Sequence, residues 1–293
     1  MPTAQKRRIA DLQKQAELCF KESGITEYKA ETIVLLSYCL GMSRTELYIH
    51  GDTIVGEQEY ELFSQLVERR SRREPLAYIS GEREFWSMDF MVTPEVLIPR
   101  PETEYLLEMA LTHRNQQLPP GCILDLCCGS GVIGIVLVRE LNRSVIATDI
   151  SHGALAVALS NSRKHGVRDR LSFICMDLLS CFTEQPRFQL IVSNPPYVKA
   201  GDIAERLEPE VSQFEPNLAL DGGTDGMDFI TRIVRNVGKL LVPGGDCFLE
   251  VGSDQQREID LLMDQEYCRE TYSILKTYKD YAQRLRVVHL RKR

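Results

Sequence analysis

"LDLCCGSGVIGI", Leu124 to Ile135, decides the fold of this 293-residue chain. Its first residues belong to a short strand, Cys122 to Leu126, and Val132 to Leu141 read as a helix. Between them, Gly129 and Gly131 let the backbone turn sharply and approach a ligand closely. Strand, glycine turn and helix form a building unit of a doubly wound sheet, where ligands bind at the carboxyl ends of strands near the switch in strand order. The next strand ends in Asp149, about 20 residues beyond the loop, and a carboxylate there can accept two hydrogen bonds from a ribose diol. Many α/β proteins carry a Gly-x-Gly turn. Gly134 also fills the third-glycine position of a dinucleotide fingerprint, so the loop alone leaves the ligand open.

The pattern continues on the carboxyl side. Strands are expected at Ser144 to Ile150, Leu171 to Cys175, Phe188 to Val192, Asp246 to Val251, Tyr272 to Tyr278 and Leu285 to Leu290. Helices are expected at Ala154 to Lys164 and Met227 to Leu241. This alternation implies a mostly parallel, doubly wound α/β sheet with helices on both faces. Upstream the pattern is helical only: Ile9 to Phe20, Tyr28 to Leu40 and Glu57 to about Arg73, with Ser43-Arg-Thr-Glu46 as a capping box. "EREFWSMDFMV", Glu82 to Val92, alternates like a strand pair, and the prolines at 94, 99 and 101 lead stiffly into a helix starting near Glu102. The expected division is a helical domain over 1–80, a linker with the strand pair over 81–101, and an α/β domain over 102–293.

Composition bounds the rest. No apolar run reaches the ~18 residues of a membrane span, and the start, Met1 to Arg8, lacks a signal peptide's apolar stretch. Nine cysteines with no C-x-x-C pair suggest reduced thiols in a cytoplasmic protein, and the five histidines stand far apart, so no metal is expected. A net charge of −7 argues against a protein that grips nucleic acid. The exception is Arg69-Arg-Ser-Arg-Arg73, either a solvated helix end or a contact patch for an acidic partner or RNA.

The strand Phe188 to Val192 runs into "SNPPY", Ser193 to Tyr197. Two prolines forbid a helix and cannot serve a central strand, so the motif is a rigid turn or a site. Together with the glycine loop and Asp149 it resembles the Rossmann-like S-adenosyl-L-methionine-dependent methyltransferases. In that class Asn-Pro-Pro-Tyr marks enzymes that methylate a planar conjugated amino group. The resemblance implies that Cys127, Cys128, Gly129, Ser130, Gly131, Asp149, Leu178 and Asn194 line or meet S-adenosylmethionine, with Asp125 at the pocket floor. It implies catalytic roles for Asn194, Pro195 and Tyr197, and a substrate site formed by Asn194, Pro195, Pro196 and Tyr197. An amide nitrogen is a poor nucleophile because its lone pair is delocalised into the carbonyl. The Asn194 side-chain oxygen and the Pro195 carbonyl can accept from its NH₂ and become more favourable partners as it turns cationic, while the Tyr197 face packs on the planar group.

The chain departs from the class at two places. Cys127 stands where the loop usually begins with glycine, and a Cβ there must point away from the cofactor or shift the loop. The pair Asp177-Leu178 stands where an acid and an aromatic usually flank the adenine; leucine can cover the ring but cannot stack on it. Cys127 and Cys128 are expected to be small packed residues rather than a redox pair.

Three longer stretches narrow the resemblance: "RREPLAYISGEREFW", "REFWSMDFMVTPEVLIPRPETE" and "FEPNLALDGGTDGMDF". They resemble the release-factor glutamine methyltransferases over nearly the whole chain. That family methylates the N5 side-chain nitrogen of the glutamine in the Gly-Gly-Gln loop of class I peptide-chain release factors, and its helical domain helps dock that substrate. The release factor is the expected partner; with this charge balance and no spanning run, no direct nucleic-acid or membrane partner is expected, and the enzyme is expected to be a monomer. The segment from Lys199 to Asp225 would shape the glutamine entrance, with Phe214 and Pro216 packing and Glu215 hydrogen-bonding, while Arg100 and Glu102 border the cofactor or form a surface ion pair. The alternatives are a ribosomal-protein glutamine methyltransferase, whose loop also contains cysteine, and an adenine-N6 nucleic-acid methyltransferase, which would want a basic cleft and a base-reading domain.

Overall fold

Upstream of Gly81, apolar residues spaced three and four apart form α1 (Ile9–Glu22), α2 (Tyr28–Leu40), α3 (Arg44–Ile49), α4 (Glu57–Ser71) and α5 (Leu76–Ser80). The computed structural model describes residues 7–113 and 121–293; the first six residues, part of the stretch where no signal peptide is expected, lie outside them. α3 opens on the expected capping box: the Glu46 N–H donates to Ser43 Oγ at 3.3 Å, and the Ser43 N–H donates to Glu46 Oε2 at 2.7 Å. Ile9, Leu12 and Phe20 of α1 pack with Leu35, Leu36, Phe63 and Leu66 to give this unit its own core.

The residues around Pro209–Phe214, far along the chain, belong to the same unit: the division runs Met1–Gly81 with Glu208–Phe214 against Glu82–Leu207 with Glu215–Arg293. Glu210 supplies the reason. Its carboxylate pairs with both Arg70, only 4% exposed, and Arg73. Arg70 also pairs with Glu31, Arg69 with Glu74, and Arg72 with Glu68. Arg70 and Arg73 are thus held in ion pairs within the unit, while Arg69 and Arg72 pair at its surface.

The second unit opens with the expected strand pair, β1 (Glu82–Phe85) and β2 (Met88–Met91), antiparallel. Its two-residue turn is Trp86-Ser87, both at positive φ (55° and 54°), where Asn-Gly would be usual. The Trp86 N–H is held by Glu104 at 2.7 Å. α6 (Pro101–Thr112) follows, with Pro101 in the first turn, where its missing N–H leaves no bond unmade. Then come β3 (Cys122–Leu126), α7 (Val132–Leu141), β4 (Val145–Asp149), α8 (His152–Lys164), β5 (Leu171–Cys175) and β6 (Phe188–Ser193).

The connection after β6, expected as a long loop, holds α9 (Ala200–Glu205), α10 (Pro209–Phe214) and α11 (Asn217–Leu220). Helices this short show no readable periodicity. α12 (Asp228–Leu240), β7 (Leu241–Glu250), α13 (Gln256–Met263), α14 (Glu266–Thr271), β8 (Tyr272–Lys279) and β9 (Leu285–Lys292) complete the chain.

The seven strands run in the order β5-β4-β3-β6-β7-β9-β8. β3 to β7 are parallel neighbours, and β9 is antiparallel to both β7 and β8. The chain winds one way from β3 through β5 and then returns to place β6 on the other side of β3. The strand order therefore reverses between β3 and β6, where a doubly wound sheet opens its crevice. Among the described residues no helix is long and apolar enough to cross a membrane.

Candidate active site

The glycine loop leaves β3 and the Asn-Pro-Pro-Tyr turn leaves β6, side by side at the reversal. Leu126 and Ser193 are register partners, and the Ser193 hydroxyl donates to the Leu126 carbonyl at 2.7 Å. The loop turns through three left-handed residues, Cys127 (φ 61°), Gly129 (φ 52°) and Gly131 (φ 81°). Cys127 adopts the left-handed conformation that a glycine would favour, at a cost in backbone strain. Burial pushes both neighbouring thiols, Cys127 and Cys128, far above their ordinary pKa, which suits packed residues rather than redox partners.

The glycines do different work. A Cβ on Gly129 would meet nothing within 4 Å, whereas one on Gly131 would lie 2.9 Å from the Ala158 Cβ. Gly134, the third-glycine position, packs α7 on the sheet: its added Cβ would lie 2.9 Å from Asp125 Oδ2. Gly131→Ala should therefore lower unfolding stability by about 2–3 kcal/mol, combining left-handed strain with overpacking, and Gly129→Ala by only about 1 kcal/mol. Urea unfolding of the two variants side by side checks this order.

Asp149 ends β4 facing the loop. Its Oδ2 accepts the Gly129 N–H at 2.8 Å and its Oδ1 accepts the Ser151 N–H at 2.9 Å. Each oxygen keeps a second lone pair, so the two backbone bonds orient the carboxylate without consuming it. Burial pushes its pKa up, and those N–H donors oppose the shift without cancelling it. Asn161 braces the loop by donating to the carbonyls of Ser130 and Met91, both at 2.9 Å.

These residues surround a cavity of about 260 Å³. Cys127, Cys128, Gly129, Ser130, Asp149, Leu178, Asn194 and Pro196 line it, together with Arg100, Pro216 and Phe229. Gly131, Pro195 and Tyr197 do not line it, and neither does Asp125, expected at its floor. Asp125 is fully buried; Oδ2 accepts the Gly134 N–H at 2.8 Å, Oδ1 has no partner among the described residues, and burial pushes the carboxyl up to about 8. Tyr197 is turned by its other bonds. Its hydroxyl donates to Glu250 Oε1 at 3.0 Å, and its carbonyl accepts from Gln255 Nε2 at 3.1 Å. No aromatic stands at 178, and among the described residues the only aromatic side chain in the lining is Phe229 of α12. The lining combines a carboxylate with free lone pairs, a bare glycine edge and apolar residues, which are groups a nucleoside ligand would use.

Residues 11–81 match the PrmC N-terminal domain, and residues 103–213 match the methyltransferase small domain. A release factor glutamine methyltransferase of Geobacter sulfurreducens is 41% identical, covering 81% of this chain and 82% of its own length. One from Clostridium botulinum is 35% identical over 93% of this chain and 95% of its own. The chain belongs to the release factor glutamine methyltransferase family. A Pyrococcus furiosus methyltransferase structure shares the fold, with a TM-score of 0.52 at 16% identity over 77% of this chain and 98% of that one.

For this family member, the signature stretches quoted from the sequence have structural reasons. In "LDGGTDGMDF" a Cβ on Gly222 would lie 2.7 Å from the Tyr197 Cα, and one on Gly226 would lie 2.4 Å from the Tyr197 oxygen. The segment is glycine-rich because the backbone leaving Asn-Pro-Pro-Tyr packs directly on it. Gln255 holds both, donating to the carbonyls of Tyr197 and Gly226 while accepting the Gly252 N–H at 2.7 Å. In "FEPNLAL" the buried Glu215 accepts the Ile98 N–H at 3.0 Å and pairs with Arg100. Arg100 is thus an internal partner that also borders the cavity, while Glu102 pairs with Arg286 at 3.4 Å. Thr103, Glu250 and Gln255 were not singled out by the sequence. The one signal available for Glu250 is a lone acid ending the apolar strand "CFLE" at the carboxyl edge of the sheet.

Proposed function

We propose that this chain transfers a methyl group from S-adenosylmethionine to the N5 side-chain nitrogen of the glutamine in the Gly-Gly-Gln motif of class I peptide-chain release factors. One observation supports this most: Asn194 lines the same cavity as the glycine loop and Asp149, across adjacent strand ends. A cofactor site and an amide acceptor share one wall.

When bound, S-adenosylmethionine supplies an electrophilic methyl on a sulfonium. The chain's part is to hold and orient. Asp149 accepts the ribose hydroxyls through its spare lone pairs, and Leu178 and Phe229 cover the base. Asn194 Oδ1 accepts from the substrate NH₂, and Pro196 offers no competing N–H. The Pro195 carbonyl, which does not line the cavity, is the second acceptor that the family resemblance implies. These acceptors strengthen as the nitrogen gains positive charge, which lowers the barrier rather than only the substrate's free energy. No general base is required for attack, since the cationic nitrogen sheds its proton readily. The helical unit, which carries no part of this cavity, serves to dock the protein substrate.

Mass spectrometry of a release factor incubated with enzyme and S-adenosylmethionine tests the proposal: one methyl should appear on the loop glutamine. Methyl transfer to a ribosomal protein or to adenine, with none to the release factor, sinks it. Asp149→Ala should weaken cofactor binding by roughly 1.5–3 kcal/mol, as for a lost charge-assisted hydrogen bond. Calorimetry finding equal affinity in a folded variant removes Asp149 from the site.

A further inference from the structure

Three elements meet at the Asn-Pro-Pro-Tyr turn: α6 brings Thr103, which lines the cavity beside Asn194, the turn brings Asn194 and Tyr197, and the end of β7 brings Glu250. Glu250 is fully buried; one of its oxygens meets Tyr197 directly, and the other reaches Asn194 through Thr103. Oε1 accepts the Tyr197 hydroxyl at 3.0 Å, and Oε2 accepts the Thr103 hydroxyl at 2.7 Å. Thr103, 3% exposed, has one hydroxyl proton. Given to a carboxylate that has none to return, that proton leaves the Thr103 oxygen able only to accept. Asn194 Nδ2 lies 3.0 Å from this oxygen and donates to it. An asparagine amide presents oxygen on one side and NH₂ on the other, so fixing the nitrogen fixes the oxygen. The charge on Glu250 sets the direction of each bond in the chain.

We infer that Thr103 and Glu250 are positioning residues for the methyl transfer proposed above: ionised Glu250 takes the Thr103 hydroxyl proton, Thr103 takes the Asn194 N–H, and Asn194 Oδ1 is thereby held as the acceptor for the substrate NH₂. This rests on the functional reading of Asn194. With the amide reversed, the turn would offer NH₂ to NH₂, and the substrate nitrogen would lose the acceptor that strengthens as it becomes cationic. The same carboxylate fixes the Tyr197 hydroxyl, so both ends of the motif are set by one buried charge.

The surroundings make that charge titratable. Burial lifts the Glu250 carboxyl to about 7, although the hydroxyls of Thr103 and Tyr197 and the Arg286 charge favour its ionised form; Glu102 opposes it. Protonated Glu250 can donate to Thr103 and let the chain run backwards. Turnover should therefore rise with pH through about 7 and level off above it.

Thr103→Val keeps the shape and removes the hydroxyl; Thr103→Ser keeps the hydroxyl and removes a methyl. Thr103→Val should lower kcat about 5–30-fold, the equivalent of one hydrogen bond, while cofactor affinity and release-factor KM stay within about threefold. Thr103→Ser should remain within about threefold of wild type. Glu250→Gln, whose NH₂ can donate to Thr103, should lower kcat and abolish the rise through neutral pH, yet unfold no earlier than wild type because a desolvated charge is gone. In the Thr103→Val background, Glu250→Gln should add much less than it does alone, since it acts through the same bond. A readout free of turnover is the Asn194 side-chain amide resonance in ¹⁵N-asparagine-labelled protein. It should shift in Thr103→Val and hold in Thr103→Ser. Equal losses in the valine and serine variants, or full kcat and an unmoved resonance in Thr103→Val, overturn the inference. A wild-type enzyme that leaves glutamine unmethylated sinks the functional reading instead, and the resonance still decides whether the relay exists.

Discussion

Arg70→Ala should destabilise the helical unit by about 3–5 kcal/mol, as expected when one partner of a buried ion pair is removed and the opposite charges are left behind. The Arg70 guanidinium meets both oxygens of Glu31 and one of Glu210, and donates to the Glu74 carbonyl at 3.3 Å. Burial alone would raise the Glu210 carboxyl, but hydrogen bonds from Arg70 and Arg73 outweigh it and hold the group below its ordinary range. A carboxyl depressed in the folded state contributes stability that is complete above its unfolded pKa and lost as pH falls through the folded value. The unit should therefore loosen on acidification below the ordinary glutamate range, and Arg70→Ala should weaken that acid response. Trp86, the only tryptophan, lies in the second unit. In urea, helical circular dichroism should fall earlier in the variant while tryptophan fluorescence holds its midpoint. Arg70→Lys keeps the charge but loses the fork, so it should fall between the two. An acidic-partner patch makes the opposite forecast: unchanged unfolding and slower, less salt-dependent capture of the release factor. Arg69 and Arg72, paired and largely exposed, are the positions where such a change would be seen without loss of stability.

Local pattern carried most of the fold. Tyr28–Leu40, Val132–Leu141 and Leu171–Cys175 form the elements expected of them: the first buries Thr32, Leu35 and Leu36 on one face, the second is buried nearly all round from Val132 to Val138, and the third is the edge strand beside β4. What escaped was short or set from afar. α9, α10 and α11 span six, six and four residues, too few to show a period. The hairpin turn Trp86-Ser87 lacks turn chemistry of its own, and Glu104 of α6 holds its backbone. The site divides in the same way. The glycine loop, Asp149 and Asn194 stand at strand ends, where the doubly wound topology makes position readable. Thr103 and Glu250 act through bonds that span 91 and 147 residues, and no local spacing encodes such pairs. Tyr197 was expected to lie flat against the substrate. Its hydroxyl bond to Glu250 makes it first an anchor of the turn.

Asn194→Ala should lower turnover by about 10²–10³, or roughly 2.7–4 kcal/mol in transition-state free energy, by analogy with the loss of one oxyanion-hole donor. Here the lost group is an acceptor and the developing charge is positive, but the accounting is the same: the bond is strongest when the nitrogen is most cationic. Capture of the release factor should persist in a pull-down, because no residue of the cavity lies in the helical unit. Asn194→Asp is the sharper variant. The new carboxylate keeps size and acceptors but has no N–H for Thr103. Two carboxylates, the new one and Glu250, would then compete for one threonine proton. Like charges so placed raise one pKa, so the variant should recover activity, if at all, at a pH displaced from that of wild type. A release factor with asparagine in place of the loop glutamine is one methylene shorter and should not be methylated by the wild-type enzyme. Two results would remove Asn194 and its turn from the chemistry: full turnover by Asn194→Ala on the glutamine substrate, or equal methylation of the asparagine form.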